Sequence, residues 1–117
     1  MQGLVRDVFF AVDRMDPDEF VSYLTEDARF KFGNAQAVVG RQGIKKAVSG
    51  FFGTIKALSH SVLNVWELGD SVISEVEVTY TRKDGKSVVL PCMNLFHMKG
   101  NKINDYKIFI DLTPLYA

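Results

Sequence analysis

The groups in this sequence able to do chemistry near neutral pH are few: two histidines, one cysteine and a scatter of carboxylates. His60 stands out. A neutral imidazole in a mainly apolar pocket takes a proton from carbon or gives one to a leaving hydroxyl. The alternative is a core histidine bonded to a backbone carbonyl or to Asn64. Asn94 falls among Leu90, Cys92 and Phe96 at a period of two, where an amide is costly to bury unless it is hydrogen-bonded. It suits donation to a carbonyl or enolate oxygen, or a bond to its own backbone across a bulge. Asp16 reads most simply as a helix N-cap, with the orienting of His60 or of a water as its catalytic alternative. Tyr106 and Tyr80 project rings suited to stacking on a planar ligand, or serve as core aromatics with wetted tips. Cys92 has no activating neighbour in sequence, so an inert buried thiol is expected.

The elements that must position these groups follow from hydrophobic spacing. Leu4, Val8, Val12 and Met15 recur at helical intervals, with Val5 and Phe9 beside them. Asp16-Pro17 restarts the chain as a cap followed by a first-turn proline, opening a short helix that turns Phe20, Val21 and Leu24 inward. Asp27 to Phe32 reads as a strand. After Gly40 a third helix carries Ile44, Val48, Phe51, Phe52, Ile55 and Leu58 on one stripe. From His60 the period becomes two, giving strands over 61–68, 72–82, 87–98 and 102–111. Asp84-Gly85 forms a hairpin turn between the second and third of these. Helices followed by an antiparallel meander predict an α+β fold.

Alternation then assigns faces. Val76, Val78 and Tyr80 point to the helices, opposite Glu75, Glu77 and the threonines. Leu90, Cys92, Asn94 and Phe96 share one face of the next strand, while Pro91, Met93, Leu95 and His97 share the other. Asn104, Tyr106, Ile108 and Ile110 are placed inside. His60, Val62, Asn64 and Trp66 form one set on the strand that follows the third helix. Both faces of the 87–98 strand are largely apolar, which a sheet covered on one side does not require. A homodimer packed through the outer sheet face is the economical explanation, with His97 near the contact.

Composition narrows the partners. The 117 residues suit a single domain, 1–117, with one core. Fourteen basic residues balance fourteen acidic ones and form no cluster, so nucleic acid is not an expected partner. One cysteine excludes an internal disulfide and paired-cysteine zinc frameworks. No apolar run approaches a membrane span and no leader pattern opens the chain, so a cytoplasmic location is expected.

Four segments resemble the SnoaL-like (nuclear-transport-factor-two-like) superfamily: Tyr23-Leu24-Thr25-Glu26-Asp27-Ala28, Val39-Gly40-Arg41, Leu58-Ser59-His60, and Lys102-Ile103-Asn104-Asp105-Tyr106 leading to Asp111. With the element order they span nearly the whole chain. The resemblance implies a cystatin-like cone, three N-terminal helices on a strongly curved, mainly antiparallel sheet around an internal pocket. It does not decide the activity, because members include polyketide cyclases, ketosteroid isomerases, limonene epoxide hydrolases, scytalone dehydratases and non-catalytic modules.

Carried over position by position, epoxide-hydrolase chemistry is missing, since Val76, Val78 and Ile108 stand where its Arg and two Asp residues belong. A ketosteroid isomerase's general base and oxyanion hole fall on Phe32, Val8 and Asn94, of which only Asn94 donates. Scytalone dehydratase matches at Asp16, His60 and Asn94 but has Arg82, Met15 and Phe32 at its second His and its tyrosines. Asp111 lies near the late Asp of the cyclases, on the strand face turned away from the pocket.

Together these indicate a cofactor-free, metal-free enzyme moving a proton on a small apolar carbonyl or polyol compound, as isomerase, dehydratase or cyclase. His60, Asn94 and Asp16 are the catalytic candidates. Tyr106, Tyr80, Asn64 and Asn104 would orient the substrate against Val76, Val78, Leu90 and Ile108, with Trp66 and Cys92 in the same walls. The alternative is a non-catalytic module that binds a hydrophobic ligand or dimerises. An open cavity reached by His60 and Asn94 favours the enzyme; a cavity plugged by Trp66, Phe96 and Tyr106 favours the module.

Overall fold

The computed structural model describes residues 2–117. Helix α1 (Gln2–Asp13) buries Val5, Val8, Phe9 and Ala11 on one face. It ends where Met15 takes a left-handed conformation, φ 55°. The Met15 and Asp16 N–H groups then donate back to Val12 and Ala11 at 2.8 and 3.1 Å, satisfying the last carbonyls. Asp16 goes on to cap α2 (Pro17–Ser22), accepting from the Glu19 N–H at 3.1 Å.

Strand β1 (Leu24–Phe32) starts three residues before the expected Asp27, and a two-residue β2 (Val38–Val39) pairs with it. Gly40, at φ 93°, donates to the Ala28 carbonyl at 2.8 Å and turns the chain into α3 (Arg41–Phe52). The Arg41 guanidinium holds that junction by donating through Nε to the Leu24 carbonyl at 2.9 Å. The helix stops earlier than its apolar stripe suggests. Ile55 and Leu58 are buried as expected, but from the connecting turn and from β3.

The remainder is β3 (Ala57–Leu68), β4 (Ser71–Thr81), β5 (Ser87–Lys99) and β6 (Lys102–Phe109), closed by a short α4 (Thr113–Tyr116). The sheet order is β2-β1-β6-β5-β4-β3, antiparallel throughout except for the parallel pairing of β1 with β6. The result is the expected α+β fold, an open mixed sheet with the helices against its inner face. The 82–86 hairpin forms as anticipated, with Gly85 at φ 90° and the Arg82 N–H donating to Lys86 at 2.8 Å.

Two bulges overturn face assignments made by simple alternation. In β3, Val62 pairs with Val76 and Asn64 with Glu75, leaving Leu63 as the extra residue. Asn64 and Trp66 therefore swing to the outer face. Asn64 bonds Glu75 at 2.8 Å, and Trp66 is 46% exposed. Between β5 and β6, His97 pairs with Asp105 but Met98 with Ile103, so Asn104 is the unpaired residue. Ile103 takes the buried place, and Asn104 turns to Thr25 Oγ1 at 2.9 Å and Asp27 Oδ1 at 3.1 Å. The inner face of β5 is as expected: Leu90, Cys92, Asn94 and Phe96 are all buried.

Candidate functional site

Between the helices and the inner sheet face lies a cavity of about 180 Å³. Aromatic rings make much of its wall and brace one another edge to face. Phe32 meets Phe51 at 4.9 Å, Phe30 meets Tyr106 at 5.3 Å, and Phe51 meets Tyr80 at 5.9 Å. The exposed members of the lining, Ala35, Gln36 and Ala47, put the mouth between the β1–β2 connection and α3. No Asp, Glu, Lys or Arg is among the described residues of the lining.

His60 enters this wall from β3 with its orientation fixed twice. Its Nδ1 lies 2.6 Å from Asp13 Oδ1, and its backbone N–H donates to Asp13 Oδ2 at 3.1 Å. Its ring also lies flat on Phe9, with centroids 4.5 Å apart and planes 4° apart. Phe9 and Asp13 are one helical turn apart on α1, so one face of that helix supplies both the stacking surface and the carboxylate. Because a carboxylate accepts, Nδ1 donates, and Nε2 is left as the nitrogen able to exchange a proton.

Sequence reasoning chose Asp16 for this supporting role and missed Asp13. Two signals marked it: Asp13 follows the Phe9 stripe at i+4, and it ends α1, where the helix dipole disfavours an acid unless a donor compensates.

Asn94 is 2% exposed, lines the cavity, and its Nδ2 has no hydrogen-bond partner among the described residues. A buried amide donor in that state favours a guest acceptor. The other polar lining groups act as protonated species. Burial pushes the Cys92 thiol up to about 11, opposed by the neighbouring Asn94 amide, so it is no nucleophile near neutrality. Burial likewise raises the Tyr80 and Tyr106 phenols above their ordinary range, leaving both as donors.

Of the residues singled out from sequence, His60, Asn94, Tyr80, Tyr106, Val78, Cys92 and Ile108 come together around the cavity. Val76 and Leu90 are buried on the same side of the sheet but outside the lining. Asp16 is spent on capping α2, and the bulges carry Asn64, Trp66 and Asn104 away. Asp111 is exposed beyond β6, its carboxyl held below the usual range by hydrogen bonds from Thr113. Trp66 does not plug the cavity, nor does Phe96 line it; Tyr106 does.

Comparison with known proteins agrees with this architecture. A family model for the SnoaL-like domain matches residues 5–106. No curated protein matches by sequence. Among solved structures, a candidate aromatic ring hydroxylase from Novosphingobium aromaticivorans superposes with a TM-score of 0.81 at 26% identity, over 93% of this chain and 85% of that one. A candidate SnoaL-like polyketide cyclase from Jannaschia sp. CCS1 superposes with a TM-score of 0.85 at 22% identity, over 98% and 88%. An LEH-like epoxide hydrolase from M. tuberculosis gives a TM-score of 0.80 at 13% identity, over 97% and 84%. With its cavity, its sheet order and a family match over most of its length, the chain belongs to the SnoaL-like domain family.

Proposed function

We propose that this protein is a cofactor-free enzyme that moves a proton on a small, mostly apolar carbonyl or polyol compound, so isomerising, dehydrating or cyclising it. One observation carries the proposal: His60, held by Asp13 at 2.6 Å, and Asn94, with an unpartnered amide nitrogen, line the same cavity. A ligand oxygen accepting from Asn94 Nδ2 polarises the carbonyl. The adjacent C–H is then more acidic, and His60 Nε2 takes its proton while Asp13 stabilises the imidazolium. Returning the proton to another carbon isomerises the substrate, and expelling a β-hydroxyl with it dehydrates the substrate.

Size narrows the class. A cavity of 150 Å³ holds benzene, so about 180 Å³ suits one ring with a short substituent, roughly ten heavy atoms. The absence of charge among the described lining residues favours a neutral guest.

On a carbonyl substrate each outcome begins with removal of a proton next to the carbonyl, and acetophenone, a one-ring ketone, tests that step. The protein should accelerate deuterium uptake into its methyl group in D2O, followed by NMR. His60→Ala should cut the rate about 100-fold or more while leaving the fold intact. A wild-type protein that binds acetophenone without exchanging it would support a non-catalytic binding module instead.

We further propose a homodimer through the outer sheet face, supported by the exposure there of Trp66, Val89, Met93 and Phe109.

A further inference from the structure

Ser74 and Asn94 are the buried polar side chains of the described core, at 1% and 2% exposure, and they are direct cross-strand partners on β4 and β5. Each carries an atom without a partner, Ser74 Oγ and Asn94 Nδ2. The Cys92 sulfur, a weak acceptor beside the Asn94 amide, is the one polar neighbour among the flanking side chains. Val65 and Ile108 flank the pair across the sheet, and Val72, Val76, Cys92 and Phe96 flank it along the strands. Two orphaned polar groups in hydrocarbon cost more than one, and a random core does not place them side by side. Cross-strand Cβ atoms on one face stand about 4.5–5.5 Å apart, so a single oxygen lying between the two side chains can meet both.

We propose that Ser74 is a second donor of the cavity's oxygen site: its hydroxyl and the Asn94 amide together hold one oxygen of the ligand, so that the guest is a carbonyl compound entering oxygen first. Asn94 forms the cavity wall, and Ser74 stands beside it in the register, just outside the lining. The oxygen therefore seats at the sheet, and the rest of the molecule extends toward the mouth at Gln36 and Ala47. Two donors on one oxygen stabilise an enolate more than a ketone, because charge develops on that oxygen as the proton leaves. The inference rests on the carbonyl-binding reading of the cavity and adds to it the residue that sets orientation.

The test uses carbonyl-labelled acetophenone with the full chain, reading affinity by calorimetry and the C=O stretch by infrared difference spectroscopy. In the wild type the band should lie below its position in hydrocarbon. Ser74→Ala should weaken binding about fivefold and move the band part of the way back. Asn94→Leu should move it further, and the double variant furthest. Thermal stability of the ligand-free Ser74→Ala protein should hold or rise, because an unpaired buried hydroxyl is removed. If that variant fails to fold, Ser74→Cys carries the same comparison through its weaker donor. An unchanged band and affinity in the Ser74 variant would overturn the second donor alone. No binding of acetophenone by the wild type would overturn the carbonyl reading as well.

Discussion

Asp13 grips His60 at two points, the ring Nδ1 at 2.6 Å and the backbone N–H at 3.1 Å, joining the last residue of α1 to β3 across 47 positions of sequence. Such a carboxylate sets the tautomer and aim of the imidazole and stabilises its cation when a proton arrives. Asp13→Asn should therefore reduce acetophenone deuterium exchange about 100-fold while its affinity stays near the wild-type value. Asp13→Ala, which leaves both donors unpaired, should also cost about 2 kcal/mol in urea unfolding. Full activity in Asp13→Asn would reduce the contact to a structural one.

The mouth offers a control that avoids the polar groups. Ala47 is an exposed residue of α3 at the rim. Ala47→Trp should obstruct entry, slowing acetophenone association and exchange at least tenfold, with stability changed by less than about 0.5 kcal/mol as for other surface substitutions. Unaltered association kinetics would show that ligands enter elsewhere.

What sequence made legible was set by periodicity, and what it hid was set by single-residue irregularities. The inner faces of β4 and β5 followed from alternation because those strands pair without interruption, from Ser71 opposite His97 to Thr81 opposite Ser87. Trp66 and Asn64 were misplaced because one extra residue, Leu63, reverses parity in a strand whose two faces look alike in composition. Asn104 was misplaced by the second bulge for the same reason. His60 and Asn94 were visible as polar residues in apolar company. Asp13 was not, since its partner comes from a distant strand and only its place on α1, one turn past Phe9 and at an adverse helix end, betrayed it. Ser74 was hidden by its size: a serine in a strand attracts no notice until burial leaves its hydroxyl without a partner.

Stability should fall at alkaline pH in a defined window. Burial raises the Cys92 thiol from an ordinary 9.0 to about 11, and raises Tyr80 and Tyr106 above 10.0. The folded chain then holds protons that the unfolded chain releases, so this contribution is complete below pH 9 and is lost as pH rises through 9–11 and beyond. Urea midpoints measured at pH 8, 9, 10 and 11 should decline from 9 upward. Cys92→Ala should flatten the first part of that decline, from 9 to 10, and leave the tyrosine part. A midpoint that held constant to pH 11 would mean that these groups reach water in the folded state.

The outer face gives the last test, because its side chains can be changed without touching the cavity. Trp66, Ile73 and Leu95 form one row across β3, β4 and β5, and Met93 pairs with Phe109 in the row beside it. Phe109 is 58% exposed and Trp66 46%, a degree of exposure for large apolar residues on one face that a second copy would relieve. Light scattering at micromolar concentration should give about twice the 13.2 kDa chain mass. Acrylamide quenching of Trp66, the chain's one tryptophan, should weaken as concentration rises. Phe109→Glu places a charge where the two sheets would meet, so it should yield monomers with Trp66 fully quenchable. Its acetophenone affinity should match the wild type, because Phe109 faces away from the cavity. A wild-type chain that remains monomeric at 100 µM, a concentration chosen to be roughly tenfold above that of a weak specific dimer, would exclude the second copy and leave this face to a different partner.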